Sequence, residues 1–179
     1  ANVTYISTMG FADLPLDIKR VEVNSAEEIL HETQKSITEV SSIENTLLPY
    51  LFMVAAVGDF KHVDPNVGKV KKSSVGTQWQ IELEQTTDIL STIDKSKIKT
   101  VGFKAEMDSK EGLNNAVALL EKKRVDAVCY NLLDDAKSFG GSDNEITFIT
   151  KEKQVPLGRT DKLTLATKII DQAKGLING

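Results

Sequence analysis

The sequence predicts an α/β protein of three layers, with helices covering both faces of a mainly parallel sheet. The order strand–helix–strand recurs along the chain, which favours parallel strands joined by helical crossovers. The 179 residues suffice for one domain with a substantial core, and 40% of them are hydrophobic. An antiparallel extension or hairpin is expected near the C-terminus.

The first half of the chain predicts four strands and one long helix. β-branched and aromatic residues mark the strands, and the last of them alternates with a period of two. Ser25 and Glu28 form a capping box, so a helix begins there and runs to about Ile43. The predicted strands cover residues 2–7, 19–23, 51–57 and 79–84.

The second half predicts three helices and four strands, the last two of which form the hairpin. Asp88 caps a short helix through Ile93, and Asp108 with Glu111 opens the next helix. Asp161 starts the last helix. Its spacing predicts five inward residues: Leu163, Ala166, Ile169, Ile170 and Ala173. The strands cover residues 100–105, 125–130, 145–149 and 154–157.

Composition and charge exclude several classes of function. The chain has 22 Lys and Arg against 26 Asp and Glu, a net charge of −4, which argues against nucleic-acid binding. No apolar run approaches the length of a membrane span. A single cysteine, Cys129, favours a reducing compartment, the cytoplasm. Two histidines and one cysteine make a zinc site a poor expectation.

The most distinctive local feature is a lysine loop that follows the strand 51–57. Lys69, Lys71 and Lys72 lie where an open parallel sheet places its ligands, although a solvated basic loop has the same composition. If the segment is extended, Lys69 and Lys71 face the same side, which suits a triphosphate. Asp59 ends the strand, and its carboxylate is either a turn former or a ligand for a ribose, a base amine or Mg²⁺.

Two further side chains are predicted at strand ends. Phe103 is either a ring against a base or a core residue, and Asn131 either points into the crevice or forms a turn. Cys129 lies in an apolar strand, where a buried thiol is commoner than a nucleophile. No glycine-rich dinucleotide or phosphate-binding motif is present.

Six segments appear in an order that identifies a family resemblance: VAAVGDF, GKVKK, TTDIL, VGFKAE, KKRVDAVCYN and FGGSDNEITFI. With them the chain resembles phosphopantothenate–cysteine ligase, also called phosphopantothenoylcysteine synthetase. In many bacteria this is the C-terminal half of a bifunctional coenzyme A biosynthesis flavoprotein. The resemblance implies a Rossmann-like fold and a homodimer, formed partly through an antiparallel extension near the lysine loop.

The resemblance also implies the reaction. The carboxylate of 4′-phosphopantothenate is activated by CTP, or by ATP, with Mg²⁺. An acyl-nucleotide and pyrophosphate form, and the amine of cysteine then makes the amide. FMN belongs to the decarboxylase half of the bifunctional proteins, so no flavin is expected here. An FMN-dependent phosphopantothenoylcysteine decarboxylase is expected as a fused or associated partner.

The resemblance assigns roles to individual residues. Lys69 matches the first lysine of a KxKK loop needed for catalysis, and Lys71, Lys72 and Asn131 are further candidates around the phosphates. The residues implied in nucleotide binding are Ala55, Asp59, Lys69, Asp88, Ile89, Phe103 and Lys123.

Three departures from the family pattern stand out. Thr86 and Thr87 replace the first two residues of an NPDI motif, and Leu119 stands where a second nucleotide-binding lysine is common. The family's opening strand, its Asn- and Ser-Ser-Gly-containing loop and the following helix have no counterpart. Residues 1–179 are therefore expected to form one domain that lacks this segment. The alternative function is a non-catalytic Rossmann-type nucleotide-binding or dimerisation module.

Overall fold

A computed structural model describes residues 1–9, 14–15, 17–43, 48–65, 68–107, 111–133 and 141–177, apart from the side chains of Lys72 and Ser74. The strands in these ranges are β1 (Thr4–Ser7), β2 (Lys19–Glu22), β3 (Tyr50–Met53), β4 (Phe60–His62), β5 (Leu83–Gln85), β6 (Lys99–Glu106), β7 (Ala127–Leu132), β8 (Asp143–Ile149) and β9 (Gln154–Asp161). The helices are α1 (Ala26–Ser41), α2 (Lys72–Val75), α3 (Ile89–Thr92), α4 (Gly112–Lys123) and α5 (Lys162–Lys174).

The strands form one large sheet and two small ones. The large sheet has the order β3-β6-β7-β8-β9, in which β3, β6 and β7 are parallel and β8 and β9 form the C-terminal antiparallel hairpin. β1 and β2 pair in parallel, and β4 and β5 pair antiparallel. This confirms the predicted α/β class with its mainly parallel central sheet and antiparallel hairpin.

Helices cover both faces of the large sheet, which confirms the three layers. On one face Val101 and Phe148 of the sheet pack with Ile169 of α5. On the other face Val128 packs with Leu120 of α4. α1 and α3 lie in the same layer as α4 and cover the part of the sheet that ends at β3. The residues of this joint cluster include Ile29, Ile37, Leu51, Met53, Ile89 and Ile93.

The helix starts that the sequence predicted are confirmed by their hydrogen bonds. Ser25 Oγ accepts from the backbone N–H of Glu28 at 3.1 Å. Asp88 Oδ1 accepts from Ser91 N at 3.0 Å, and Asp161 Oδ1 accepts from a backbone N–H of α5 at 2.9 Å. The predicted opening of α4 is not of this kind: Glu111 makes no side-chain cap, and Asp108 lies outside the described residues.

Two predicted strands are shorter than the sequence indicated. β3 ends at Met53, so residues 54–57 continue as an exposed or half-exposed loop. Of the alternating segment 79–84 only residues 83 and 84 belong to a strand, β5, which continues to Gln85 and pairs with β4, a strand that was not predicted. β4 and β5 are strands because they pair with each other. A run of three residues has too little periodicity for a strand to be predicted from it alone.

The inward face of α5 also differs from the prediction. Leu163 is 78% exposed, Ile170 is 50% exposed and Ala166 is exposed as well. The buried stripe is instead Leu165, Ile169 and Ala173, so two of the five predicted residues are correct. Both stripes have helical spacing, and only packing against the sheet selects between them.

Gly112 lets α4 begin close to the sheet. A Cβ at this position would lie 2.6 Å from Tyr130 Oη and 3.0 Å from Glu106 Cβ. We expect Gly112→Ala to lower the free energy of unfolding by about 1–3 kcal/mol through overpacking, measured by denaturant titration. Gly175→Ala is the control, since a Cβ at that position would meet no atom within 4 Å and the φ of Gly175 is −67°.

A double-mutant cycle identifies the cause of that loss. Tyr130→Phe removes the atom nearest to the new methyl group, so it should recover part of the effect of Gly112→Ala. Equal losses in both backgrounds would contradict the proposed clash.

Candidate functional site

The carboxyl ends of β3, β6 and β7 lie at one edge of the sheet because these strands are parallel. Ala55 and Asp59 are exposed on the loop that leaves β3 at this edge. The backbone carbonyl of Asp59 accepts from Thr86 N at 2.8 Å, which ties the loop to the segment before α3. Open parallel sheets bind ligands at such an edge.

The predicted lysine loop lies between β4 and β5 and contains the single turn α2. Lys69 follows Gly68, whose φ of 91° is accessible to glycine at little cost. Lys69 is exposed, and it forms no hydrogen bond or ion pair with any described residue. Lys71 is exposed too, whereas the side chain of Lys72 is not among those described. Lys69 therefore presents an ammonium group that an anion could approach.

Phe103 and Asn131 lie on adjacent strands and on the same face of the sheet. In the register of β6 and β7, Phe103 pairs with Cys129 and Ala105 pairs with Asn131. Phe103 is half-buried and packs against the core cluster on the α5 side, and alternation puts Asn131 on that side as well. Asn131 lies within β7, which runs on to Leu132, so the prediction that it closes the strand is wrong.

Asn131 has an unmade hydrogen bond. Its Oδ1 atom is buried and has no partner among the described residues. Buried acceptors are nearly always paired, so an orphan beside a candidate site indicates a missing donor from a ligand or water. Asn131 therefore stays a candidate for the crevice, with one buried acceptor that a ligand could use.

Asp88 and Lys123 form an ion pair that links α3 to the end of α4. Asp88 uses Oδ1 to cap α3 and Oδ2 to hold the Lys123 ammonium group. This ion pair lies on the face of the large sheet that α3 and α4 cover, whereas Phe103 lies on the opposite face. Ile89 is 4% exposed and packs in the core, so only its backbone is available to a ligand.

Leu119 packs against the large sheet. It lies one helical turn before Lys123, and its Cδ2 atom would be 3.3 Å from a Cβ added at Gly102. Gly102 therefore allows Leu119 to pack directly over β6.

The remaining candidates give no second site. Cys129 is fully buried, and burial raises the pKa of its thiol to about 12, so it stays neutral and is a poor nucleophile. No cluster of three or more His, Cys, Asp or Glu that could hold a metal occurs in the described ranges. In those same ranges, no helix has the length and apolar character needed to cross a bilayer.

The fold and this sheet edge define an α/β domain of Rossmann-like architecture. A family model confirms the assignment over nearly the whole chain. The chain belongs to the family described as the DNA/pantothenate metabolism flavoprotein C-terminal domain, whose model matches residues 1–176.

Comparisons with characterised proteins agree with this assignment. The coenzyme A biosynthesis bifunctional protein CoaBC of Vibrio vulnificus is 26% identical over 181 residues, which cover 99% of this chain and 43% of that protein. This chain thus spans less than half the length of that relative.

Solved structures share the fold. The C-terminal domain of a coenzyme A biosynthesis bifunctional protein CoaBC aligns with a TM-score of 0.72 and 23% identity, over 99% of this chain and 75% of the other. A Cab2 variant in complex with phosphopantothenate-cysteine aligns with a TM-score of 0.60 and 16% identity, over 90% of this chain and 55% of the other.

Proposed function

We propose that this chain is the ligase that joins 4′-phosphopantothenate to cysteine in coenzyme A biosynthesis. The observation that carries the proposal is that Phe103 and the orphan acceptor Asn131 Oδ1 lie on one face of two adjacent parallel strands, toward their carboxyl edge. A ring and an amide acceptor suit a nucleotide base that stacks and donates from an amine. The family assignment and the Cab2 complex with phosphopantothenate-cysteine support the choice of substrates.

The proposed chemistry has two steps. A carboxylate oxygen of 4′-phosphopantothenate attacks the α-phosphorus of the nucleotide, and the bond to pyrophosphate breaks. The amine of cysteine then attacks the acyl carbon, loses a proton and releases the nucleoside monophosphate. Lys69 acts in the first step by stabilising the charge that develops on the departing pyrophosphate.

The other proposed contacts surround the base and phosphates. Ala55 and Asp59 lie on the loop after β3, and Lys71 and Lys72 extend the cationic loop. Asp88, the backbone of Ile89 and Lys123 approach from the α3–α4 side. Mg²⁺ binds through one or two carboxylates together with phosphate oxygens, and the exposed Asp59 is the proposed protein ligand.

Calorimetric titration of CTP and of ATP with Mg²⁺ tests the nucleotide part of the proposal. We expect saturable binding of CTP and weaker binding of ATP. Asn131→Leu keeps the approximate volume but removes the acceptor, so it should weaken the preferred nucleotide by about tenfold or more. Unchanged affinity in Asn131→Leu would exclude the proposed base contact, and binding of neither nucleotide would exclude the ligase function of this chain.

We further propose a homodimer formed through the outer face of the β4–β5 hairpin. The register places Phe60 and Leu83 on one face, where they are 64% and 52% exposed. The other face carries Lys61, which binds Glu27 of α1 at 2.5 Å and Glu84 at 3.3 Å. The hairpin is thus fixed to its own chain on one side, and its outer face exposes two large apolar side chains beside the polar His62 and Gln85, a mixture suited to an interface.

Sedimentation of the double variant Phe60→Ser, Leu83→Ser tests the dimer. We expect the unchanged chain to sediment as a dimer and the variant as a folded monomer. Lys61→Gln is the control, because it alters the inner face and should leave the dimer intact. A monomeric unchanged chain at high concentration would contradict the interface.

The proposed product needs a decarboxylase downstream. CoaBC proteins are named as bifunctional, and this chain matches 43% of the one from Vibrio vulnificus. An FMN-dependent phosphopantothenoylcysteine decarboxylase, fused or associated, is therefore the proposed functional partner.

A further inference from the structure

A cleft of about 540 Å³ lies between the segment that follows α3 and the C-terminal end of α4. This is within the usual size of small-molecule sites. Two elements contribute its charges, so the cluster is not a run on one helix. The charged residues that line it are Lys95, Lys122, Lys123, Arg124 and the single carboxylate Asp94.

Three of the four cations that line the cleft form no salt bridge with a described residue, although Asp94 and Asp126 act on Lys95 from a greater distance. Lys123 is held by Asp88, but Lys95, Lys122 and Arg124 form no salt bridge with any residue in the described part of the chain. The cleft therefore carries an excess of positive charge that solvent ions or a ligand must balance.

Asp94 balances only part of this charge. Its carboxylate accepts from the backbone N and Oγ of Ser96 at 2.9 and 3.0 Å. These bonds lower the pKa of Asp94, so it is an anion, but they direct its oxygens to the neighbouring turn. Ser91 adds a hydroxyl group to the cleft wall.

Lys95 and Arg124 line the cleft from its two walls. Lys95 is half-buried and donates to the carbonyl of Ile93 at 3.3 Å. Burial, and then the charge of Arg124, lower the pKa of Lys95. Two cations thus line one cleft, an arrangement that an anion between them would stabilise.

Arg124 adopts a backbone conformation that favours glycine. Its φ of 51° makes it the single non-glycine residue with a positive φ among those described, and it caps α4. Glycine is the usual residue at such a helix end. The helix dipole favours a cation there, but it does not explain Lys95, which belongs to a different element.

We propose that this cleft binds a phosphate-bearing anion, with Lys95 and Arg124 contacting its oxygens from the two sides. The guanidinium group of arginine matches phosphate geometry with two parallel donors. The site does not depend on the proposed base contact, because Phe103 and Asn131 lie on the opposite face of the sheet. Its ligand is either a free inorganic phosphate species or the phosphate tail of a nucleotide.

Amide NMR titrations at constant ionic strength test the site, with inorganic pyrophosphate and CTP added separately. We expect pyrophosphate to shift the amides of residues 91–96 and 122–124. Arg124→Gly should weaken this binding about tenfold or more, while its unfolding midpoint stays unchanged or rises because the left-handed strain is removed. Lys95→Gln should weaken binding similarly.

Two controls separate the site from general charge effects and from the ligase proposal. Lys162→Gln removes one exposed charge at the start of α5 and should not change the pyrophosphate affinity. Lys69→Ala should retain the amide shifts in the cleft even if it abolishes nucleotide activation.

The ligand comparison distinguishes the two sources. Shifts with pyrophosphate that CTP does not reproduce support a free phosphate species. Shifts with CTP at lower concentrations than with pyrophosphate support a nucleotide tail, which rests on the proposed function because Lys123 also lines this cleft. The proposal is overturned if neither ligand shifts these amides, or if Arg124→Gly and Lys95→Gln both bind pyrophosphate as tightly as the unchanged chain.

Discussion

Lys69→Ala is expected to lower the rate of pyrophosphate release from CTP and 4′-phosphopantothenate by about 10²–10³-fold, the usual effect of removing one charge-stabilising donor. Lys69 is exposed and unpaired among the described residues, so no protein contact is lost. The unfolding midpoint should therefore stay the same. The measurement is a continuous pyrophosphate assay with Mg²⁺, followed as a function of CTP concentration.

Two further variants test whether the geometry and the position of the Lys69 charge matter for the rate. Lys69→Arg keeps the charge but changes the donor geometry, so its rate should lie between those of Lys69→Ala and the unchanged chain. Lys151→Ala removes an equally exposed lysine from the β8–β9 turn and should not alter the rate. A rate loss that is equal in Lys151→Ala and Lys69→Ala would show a general charge effect and refute the specific role of Lys69.

Asp126→Ala is expected to cost about 2–3 kcal/mol of unfolding free energy, since it removes charge-assisted hydrogen bonds to a buried partner. Asp126 Oδ2 accepts from Thr100 N at 2.7 Å and from Thr100 Oγ1 at 3.0 Å. Thr100 is 0% exposed, so water cannot fully replace these bonds. Lys99 Nζ adds a bond of 3.2 Å to Oδ1. Denaturant titration measures the loss.

The matched variants for Asp126 separate its charge from its shape. Asp126→Asn keeps one oxygen acceptor for Thr100 and should lose less stability than Asp126→Ala. Asp171→Ala breaks the exposed pair with Lys174 and should change stability by at most about 0.5 kcal/mol. If Asp126→Ala and Asp171→Ala cost the same, the hydrogen bonds of the Asp126 carboxylate to Thr100 do not contribute the expected stability.

Local sequence determined those parts of the fold whose hydrogen bonds are local. Ser25, Asp88 and Asp161 each cap a helix through a backbone N–H only three residues ahead. Consecutive residues likewise predicted the apolar strands β6 and β7. They also predicted the turn between β8 and β9. The resemblance to a known family also came from the sequence alone, and the family model confirms it.

Tertiary contacts decided the features that a single segment leaves open. β4 exists because residues 83–85 pair with it. The buried stripe of α5 was chosen by the sheet between two stripes of similar spacing. The sequence could nominate Asp88 and Lys123 separately, but their ion pair depends on how α3 and α4 pack.

In the candidate site too, the sequence named the residues and the folded chain determined their contacts. The sequence nominated Phe103 and Asn131, yet it left a core role and a turn role open for them. Strand register places them on one face, and packing leaves Asn131 Oδ1 buried without a partner in the described chain. The cleft of Lys95 and Arg124 was not found from the sequence, because its walls are distant in the chain. Sequence determined which chemical groups are present, and packing decided which of them meet, because burial and charge pairing depend on distances that only the folded chain sets.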